Sequence, residues 1–322
     1  MSRLFRKLAF EAAHTLHFAA AVTVLTTLFF HAAHARPARI YLITGASSWG
    51  CALVLRNTSL AYRSLGTQST ILGYEEGDEV VQVVVDIRRP WKFGPGQYAY
   101  LTIPTVSTTA VFQSHPFMIT WWDKSHRRAY FLVSPQEGFS RSLLLHRDGR
   151  IRGGRAYDNG RFSLRSRLTT MIEGPYGQCD DLGSFGTVIM IATGLGITAQ
   201  IPYIRHLLEA HRNREVRTQK IALYWQMRSK YHCYWVLHWM DELMIMDKNF
   251  VSIRGRRIVG TAALTKAQIL EINMYITEPT SRRHDNPRIH EDWKVVWQRA
   301  DFDLVVQMES MGNKGRMVVT SM

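Results

Sequence analysis

The sequence is poor in cysteine, with Cys51, Cys179 and Cys233 the three thiols among 322 residues. Their wide separation matches neither the spacing of a metal-binding motif nor an even set of disulfide partners. This favours a reducing compartment over a disulfide-stapled fold. The sequence also lacks internal repeats, low-complexity segments and any pattern typical of a Ser-His-Asp triad, a Cys-His nucleophile or a carboxylate pair.

Acidic residues are fewer than basic ones, at 26 against 40, and the net charge is +14. Nucleic acid is one interpretation of this charge, but the basic residues are scattered and form no nucleic-acid-binding motif. Anionic partners such as NADPH and an acidic membrane surface explain it as well. The apolar content of 46% is sufficient for a core, and 20% charged residues argue against wholesale disorder. The length fits two domains or a little more.

A glycine turn at residues 192–200 organises the chain. The continuously apolar run Thr187–Ile191 before it predicts a strand buried on both faces, and apolar residues at helical spacing follow to about Arg212. Strand, turn and helix match the dinucleotide fingerprint G-x-G-x-x-A. In this motif Gly194 allows the tight turn, Gly196 lets the backbone approach a pyrophosphate, and the helix start faces the anion.

The N-terminal region contains two apolar runs. Residues 8–33 are long enough to span a bilayer as a helix, and basic residues before them favour a cytoplasmic N-terminus. The second run, Ile40–Leu55, is shorter and is expected to be the weaker span; two spans would return the chain to the cytoplasm. The alternative is a signal peptide with a cleavage site at residues 33–35. That interpretation would send a dinucleotide-binding domain outside the cell, away from its cofactor.

Two histidines lie within the first run. On a helix, His17 and His31 would differ by about 40° in direction and roughly 21 Å in height, so they share one face near opposite membrane surfaces. Axial ligation of two stacked haems is one hypothesis, because histidine inside a membrane span is costly and usually functional. Interfacial histidines at the ends of an anchor helix are the other.

From about Ile71 the pattern changes to short strands separated by turns, which predicts an antiparallel barrel. Strands are expected at Val80–Val85, Gln97–Ile103, Phe117–Trp122 and Arg128–Val133. A helix start with a nearby arginine, at residues 137–143, is suited to a phosphate. Residues 146–167 are predicted to form an exposed connection, and residues 173–177 a turn.

The region after the glycine turn contains further predicted elements. Strands are expected at Lys220–Gln226, Val251–Ile253 and Gly315–Thr320, and helices at Tyr234–Met246 and Trp293–Met308, with a charged loop at Ser281–Asp292 between. Arg228 follows the first of these strands, where an NAD-selective site would usually offer Asp or Glu. We therefore predict that Arg228 binds the 2′-phosphate of NADPH. The alternative is a solvated basic loop.

Several motifs occur in a specific order along the chain. They are Phe10-Glu11, His17, His31, Gly94-Pro95-Gly96-Gln97-Tyr98, His115-Pro116-Phe117, Glu173-Gly174-Pro175-Tyr176-Gly177 and Thr193-Gly194-Leu195-Gly196-Ile197-Thr198. This order resembles that of the fungal ferric-chelate reductases, within the ferric reductase and NADPH oxidase family, over nearly the whole chain. The resemblance implies hydride transfer from NADPH to FAD, then single electrons toward haem and an external ferric chelate.

The resemblance also implies a fold class and three domains. A membrane segment of one or two helices at 1–63 is followed by an antiparallel β-barrel FAD-binding domain of the ferredoxin-reductase type at 70–177. An α/β Rossmann-like NADP-binding domain occupies 183–322. The expected location is the plasma membrane, with both cofactor domains cytoplasmic. The expected partners are NADPH, a ferric chelate or other acceptor, membrane lipid and an intact paralogue, without nucleic acid.

Particular residues are implied by the same resemblance. His115, Pro116, Phe117 and the following Met118 are expected against the isoalloxazine ring of FAD, although the family usually has Ser or Thr in place of Met118. The other implied cofactor contacts are Ser140 and Arg141 near the FAD phosphates, and Gly194, Gly196, Thr198 and Arg228 at the nicotinamide nucleotide.

Two departures from the family pattern are expected to matter. Family members have further membrane helices that carry the partner histidines, so each haem here would have one ligand at most, His17 or His31. The family also continues into a Cys-Gly-Pro segment beyond the last strand, so we expect a chain truncated at both ends. The alternative functions are a haem-free NADPH–flavin dehydrogenase and an inactive or regulatory fragment that associates with an intact paralogue.

Overall fold

The computed structural model describes residues 3–32, 35–74, 80–106, 114–136, 139–144, 156–158, 161–163, 167–253, 268–278, 290, 292–312 and 315–322. The chain divides into two compact units, Met1–Tyr62 and Arg63–Met322. The predicted charged loop at Ser281–Asp292 lies almost entirely outside the described residues, as does most of the alternative cleavage site at 33–35.

The first unit is helical. Helix α1 spans Arg3–His31 and helix α2 begins at Arg36 and ends at Ser64. In the described part of the chain, α2 is the one helix long and apolar enough to cross a membrane, whereas Ala19–His31 is a shorter apolar stretch. The predicted ranking of the two runs is therefore wrong: the second run, expected to be the weaker span, is the better candidate in the described part of the chain. Its helix also extends beyond Ile40–Leu55 at both ends.

Polar side chains in both helices bond within their own helix. The hydroxyls of Thr23, Thr26, Thr44 and Thr58 each donate to the carbonyl four residues earlier, at distances of 2.6 to 2.8 Å. A hydroxyl that is satisfied in this way needs no water. The arrangement is therefore compatible with an apolar surrounding.

The first half of the second unit, here called the antiparallel half, contains ten short strands among its described residues. They are β1 (Gln68–Tyr74), β2 (Val81–Asp86), β3 (Tyr98–Thr102), β4 (His115–Met118), β5 (Trp121–Trp122), β6 (Arg128–Val133), β7 (Ala156–Asp158), β8 (Arg161–Ser163), β9 (Leu168–Thr169) and β10 (Met171–Tyr176). One sheet has the order β5-β6-β2-β1-β8-β7, with β9 paired to β1, and a second sheet has the order β10-β3-β4. Their inward side chains form one apolar core that includes Val83, Leu101, Phe131 and Ile172.

Most predicted strands of this half are confirmed, and three predictions need correction. Phe117–Trp122 is not one strand, because β4 and β5 belong to different sheets. The stretch 146–167, expected to be a connection, contains the antiparallel pair β7–β8 in its described part. Residues 173–177 were predicted as a turn, but most of them belong to β10, whose register on β3 shifts between Glu173 and Tyr176. Glycines with positive φ at 174 and 177 allow this irregular backbone.

The second half, here called the parallel half, alternates strands and helices. Its elements are β11 (Thr187–Thr193), α3 (Ile197–Arg212), β12 (Lys220–Met227), α4 (Leu237–Ile253), β13 (Leu270–Ile276), β14 (Lys294–Val296), α5 (Phe302–Gly312) and β15 (Met317–Ser321). The strands form a parallel sheet in the order β14-β13-β12-β11-β15. Apolar side chains cover both of its faces.

Two predictions in the parallel half are wrong. Val251–Ile253 is the last turn of α4 and not a strand, because the β-branched residues continue a helix that is anchored by buried side chains earlier in α4. Trp293–Met308 was predicted to be helical, but Lys294–Val296 pairs with β13 and the helix begins only at Phe302. Strand β13 was not predicted at all. At β14, pairing with the neighbouring strand β13 therefore determined the structure, although the local spacing of apolar residues favours a helix.

Helix α5 is fastened to the sheet by charged groups. The Glu309 carboxylate accepts from Lys220 Nζ at 2.8 Å and from the Tyr224 hydroxyl at 2.7 Å. Burial acts to lower the pKa of Lys220, but the carboxylates of Glu309 and Glu271 outweigh it and raise this pKa above its ordinary value. These contacts hold α5 against the sheet at β12, although some of its apolar residues, such as Met311, are exposed and do not pack on the sheet.

Replacement of Asp247 by Ala is expected to destabilise the parallel half. Asp247 is 2% exposed, and its carboxylate accepts the N–H groups of Ile269 at 3.3 Å and Leu270 at 3.1 Å. Asp247→Ala would leave two buried donors unpaired, which lowers the free energy of unfolding by about 2–4 kcal/mol. Urea unfolding followed by tryptophan fluorescence measures this loss. Asp247→Asn keeps one acceptor and should lose less; equal losses would contradict the argument.

The same carboxyl group has a defined effect on pH dependence. Burial raises the pKa of Asp247 above 3.8, and the two N–H bonds oppose this shift without reversing it. Between the unfolded and folded pKa values the folded state binds more protons. The stability contributed by this group therefore falls as the pH rises above 3.8 and through the raised folded pKa.

Candidate functional site

The glycine turn lies at the carboxyl edge of the parallel sheet, as the fingerprint predicts. Strand β11 ends at Thr193, a 3-10 turn covers Gly194–Gly196, and α3 begins at Ile197. Gly194 has a φ of +51°, a conformation that favours glycine. Its carbonyl accepts the indole N–H of the buried Trp225 at 2.9 Å, so the neighbouring strand holds the turn in place. Ligands of open α/β sheets bind at this edge.

Gly196 has a close neighbour that the sequence did not predict. A Cβ atom at this position would lie 2.4 Å from the carbonyl oxygen of Met322 and 2.7 Å from its carbonyl carbon. That oxygen accepts the Thr193 N–H at 3.1 Å, and the Met322 N–H donates to Ile191 at 3.0 Å. Glycine is therefore required here for the close approach of two backbones, and its contact with a pyrophosphate stays a prediction.

The first turn of α3 is held to two strands. Gln200 donates from Nε2 to the Ile191 carbonyl at 3.3 Å and accepts from the Thr320 hydroxyl at 3.0 Å. Thr198 is only 7% exposed, which places its side chain inside the fold at this turn. Its contact with the nucleotide also stays a prediction.

A cavity of about 540 Å³ opens beside the glycine turn. It is lined by Thr193–Leu195, Gln226–Arg228, His232, Trp235 and Thr277 from the parallel half, and by Val80, Ser134 and Pro135 from the antiparallel half. The cavity brings together Gly194 and Arg228, two residues that the sequence assigned to the nicotinamide nucleotide. The antiparallel half contributes one wall, so a ligand here would contact both halves.

Arg228 follows β12 and is positioned by its backbone. The Arg228 carbonyl accepts the N–H of Glu278 at 2.9 Å, and the Arg228 Nε lies 3.4 Å from the Glu278 carboxylate. Both side chains are 66% exposed, so the guanidinium is accessible to a ligand. A phosphate would compete with Glu278 for this cation.

Two aromatic residues of the cavity were missed in the sequence. His232 and Trp235 lie on a 3-10 helix at Lys230–Trp235, and their rings stack with centroids 4.1 Å apart. Ser229 caps this helix by accepting the Tyr231 N–H at 3.4 Å. The predicted helix began at Tyr234, so it did not include this turn. Ser229 before an aromatic-rich run is the capping signal that would have revealed it.

The predicted flavin strand is β4, an edge strand of its sheet among the described residues. Its alternation turns His115 and Phe117 to one face. The His115 ring stacks on Phe139 with centroids 4.6 Å apart, and Phe117 lies 6.2 Å from the same ring. Phe117 is half-buried and packs against the apolar core of the antiparallel half, so its contact with a flavin stays a prediction.

The opposite face of this sheet carries tyrosines that the sequence analysis did not assign. Register places Pro116 opposite Tyr100 and Met118 opposite Tyr98. The rings of Tyr98, Tyr100 and Tyr176 lie 5.7 to 5.8 Å apart, and all three are at least partly exposed. Met118 and Pro116 therefore lie on a different face from His115 and Phe117. The alternation Tyr98, Tyr100 along β3 is the signal that could have identified this face.

The predicted phosphate segment is helical at residues 139–144. The Ser140 hydroxyl accepts the Gln136 N–H at 2.9 Å, and this hydrogen bond links the segment after β6 to the start of the helix. Arg141 is exposed, and a cation at that position is accessible to a phosphate. Residues 137 and 138 of the same motif lie outside the described residues.

The two predicted haem ligands lie on one helix. His17 and His31 are both exposed on the continuous α1, which confirms the helical spacing assumed from the sequence. In the part of the chain that the structure describes, no group of three or more His, Cys, Asp or Glu residues could hold a metal ion. Bis-histidine ligation of a haem at either position would need a second histidine from a facing helix.

These features define the class of protein. An antiparallel half followed by a parallel half with a glycine turn after its first strand is the two-domain fold of ferredoxin-reductase-type flavoproteins. Two family models match in the corresponding places: an FAD-binding domain over residues 68–180 and the ferric reductase NAD binding domain over residues 185–292. The chain belongs to the ferric reductase family. It contains an FAD-binding domain and an NAD-binding domain.

Curated relatives agree with this assignment at low identity. The chain is 24% identical over 241 residues to the probable cell surface ferric reductase kap2 of Aspergillus oryzae, covering 70% of this chain and 30% of the relative. It is 25% identical over 207 residues to ferric/cupric reductase transmembrane component 2 of Saccharomyces cerevisiae, covering 62% and 26%. A superoxide-generating NADPH oxidase heavy chain of Dictyostelium discoideum is 24% identical over 241 residues, covering 69% and 43%. The chain thus spans less than half the length of these relatives.

Among solved structures, the chain is similar to a ferredoxin NADP+ reductase from Neisseria gonorrhoeae with bound FAD and NADP. The TM-score is 0.45 and the identity 9%, covering 79% of this chain and 97% of that chain.

Proposed function

We propose that this protein moves electrons from cytoplasmic NADPH through FAD toward haem and a ferric chelate at the plasma membrane. The observation that carries the proposal is the cavity in which Gly194 and Arg228 face a wall formed by the antiparallel half. A nucleotide bound there would lie between the two halves. The relatives named as ferric reductases support a ferric chelate as the electron acceptor. Helix α2, which is long and apolar enough to cross a membrane, supports a membrane location.

The residues of this chain would bind and orient the two cofactors. When bound, the nicotinamide would supply a hydride and the flavin would supply the conversion of that electron pair into single-electron transfer. The glycine turn and Arg228 would hold the nucleotide at its phosphates. His115 and Phe117 would pack on the flavin ring, with Ser140 and Arg141 toward its phosphates. The wall at Ser134 and Pro135 would keep water from the space between the cofactors.

Arg228→Ala is expected to raise the Michaelis constant for NADPH about tenfold and to leave that for NADH little changed. A charge-assisted hydrogen bond to the 2′-phosphate accounts for this difference, since NADH lacks that group. Steady-state reduction of an artificial acceptor with each nucleotide measures it. Arg212→Ala, an exposed arginine at the end of α3, is the control and should affect neither nucleotide. An equal effect of Arg228→Ala on both nucleotides would rule out the phosphate contact.

Bis-histidine haem binding at His17 and His31 would need further helices that supply the second histidine to each haem. The two side chains lie on one helix, and a bis-histidine haem needs a nitrogen from each of two facing groups. The 322-residue polypeptide expressed by itself should therefore show no stable Soret band, whereas joining the preceding spans of an intact relative should produce one. A Soret band from the unextended polypeptide that is lost in His17→Ala would contradict this prediction.

One experiment separates the proposed function from its alternatives. Absorbance spectra of membranes containing the expressed chain, extended by the spans of a relative, are recorded before and after NADPH is added. Reduction of both flavin and haem bands supports the full pathway. Reduction of flavin alone indicates a haem-free NADPH–flavin dehydrogenase. Absence of both bands indicates an inactive or regulatory chain that acts with an intact paralogue.

A further inference from the structure

We propose that Arg205 is a positioning residue that sets the approach of the nicotinamide to the flavin. The proposal rests on the function proposed above, since it concerns the distance between the two cofactors. Arg205 touches neither cofactor site directly. It lies on α3, the helix that begins at the glycine turn, and it contacts the strand that follows the flavin strand.

The guanidinium of Arg205 is buried between the two halves. The residue is 5% exposed, and its Nη1 donates to the carbonyl of Trp122 at 2.6 Å. Its Cζ lies 4.5 Å from the ring centroid of Trp121 and 5.0 Å from that of Trp122. Its Nε donates to Glu209 at 3.0 Å on the same helix. One planar cation thus fixes both residues of β5.

Strand β5 connects this contact to the flavin strand through a short piece of chain. Trp121 follows Met118, the last residue of β4, after only Ile119 and Thr120. Both intervening residues are fully buried, so they cannot flex independently of the core. At the other end, Arg205 is nine residues after Gly196, which is about 13 Å along the helix. A short path through α3, Arg205 and β5 therefore connects the glycine turn to His115 and Phe117.

Three further contacts join the two halves near Arg205. Trp121 stacks on Trp239 of α4 with centroids 6.1 Å apart, and Tyr130 packs edge-on against that ring at 5.8 Å. The hydroxyl of Tyr203, on α3, accepts the Asp180 N–H at 3.2 Å. These contacts hold the antiparallel and parallel halves together. Arg205 also fixes their relative orientation, because its charge-assisted hydrogen bond to the Trp122 carbonyl depends on angle.

Lysine cannot reproduce this arrangement. A guanidinium is planar and can stack on a ring while it donates to a carbonyl in its plane, whereas an ammonium is a compact, strongly hydrated charge. Arg205→Lys keeps the charge but loses the combined stacking and hydrogen bonding. The contact between the halves should persist through Trp121 and Trp239 with a small displacement. A displacement of about 1 Å between reacting groups can cost on the order of 100-fold in rate.

The test uses the full chain loaded with FAD and compares the parent, Arg205→Lys and Arg212→Lys, the same substitution at an exposed site on the same helix. Stopped-flow absorbance gives the rate of flavin reduction by NADPH, and titration gives the dissociation constant for NADPH. Hydrogen exchange of the amides of residues 115–122 is followed in the same proteins. FAD content and the urea midpoint are measured as checks on structure.

We expect Arg205→Lys to slow flavin reduction at least tenfold and to speed hydrogen exchange at residues 115–122. Its FAD content and its dissociation constant for NADPH should stay within twofold of the parent, and its urea midpoint should match that of the parent. Arg212→Lys should behave as the parent in all measurements. An unchanged reduction rate in Arg205→Lys would overturn the proposal, as would a loss of FAD or stability in proportion to the rate.

The proposed function can fail separately. If NADPH does not reduce the flavin of the parent, that function is wrong, and hydrogen exchange alone decides the role of Arg205. Faster exchange in Arg205→Lys than in Arg212→Lys would then still support positioning of the flavin strand. Equal exchange in the two variants would overturn it.

Discussion

A variant with both His115→Ala and Phe117→Ala is expected to release FAD, with a dissociation constant raised on the order of 100-fold. Each aromatic contact with a flavin ring contributes about 0.5–1.5 kcal/mol beyond simple burial, the apolar area that it buries adds to this, and about 1.4 kcal/mol corresponds to a tenfold change. Both side chains lie on the same face of β4 and against Phe139, so the two substitutions remove one continuous surface. The flavin remaining after gel filtration, measured by absorbance per protein, is the direct readout.

The matched comparison removes two rings from the other face of the same sheet. Tyr98→Ala with Tyr176→Ala deletes a neighbouring pair, with centroids 5.8 Å apart, and leaves His115 and Phe117 intact. This variant should retain FAD close to the parent level. If it loses FAD while the His115 and Phe117 variant keeps it, the flavin lies on the tyrosine face and our assignment is wrong.

Gly196→Ala is expected to weaken NADPH binding about 10- to 100-fold without loss of FAD. The added methyl group would meet backbone atoms of Met322 at 2.4 and 2.7 Å, and backbone cannot move aside as a flexible side chain can. Overpacking of this kind costs about 1–3 kcal/mol. The glycine turn or the end of β15 must shift, and both are bonded to Thr193 in the wall of the nucleotide cavity. Quenching of tryptophan fluorescence by NADPH measures the change in affinity.

Gly312→Ala is the control for this substitution. It lies at the end of α5 in the same half, and a Cβ there has no atom within 4 Å. It should leave NADPH affinity unchanged and keep or slightly raise the urea midpoint, since Ala favours a helix over Gly. Unchanged NADPH affinity in Gly196→Ala would show that the turn tolerates the methyl group and that the contact with Met322 is not needed.

Local patterns were sufficient for much of the fold. Strand β11, the glycine turn and α3 are continuous in sequence, so apolar runs and helical spacing predicted them together. The same holds for β6, whose alternation Arg128–Val133 matches its observed bounds. Strand β14 could not be predicted in this way, because its three residues become a strand only through pairing with β13. Short edge strands depend on a partner that is distant in sequence.

The sequence by itself determined the two cofactor domains, because the motifs that bind a flavin and a dinucleotide are local runs of residues. It also determined the order of those motifs and the apolar N-terminal helices. Only the tertiary structure decided which side chains meet. Arg205 and Trp122 are 83 residues apart in the chain, and Gly196 meets Met322 across an even longer interval. Contacts of this kind arise when separate strands and helices pack, and no local pattern of residues encodes them.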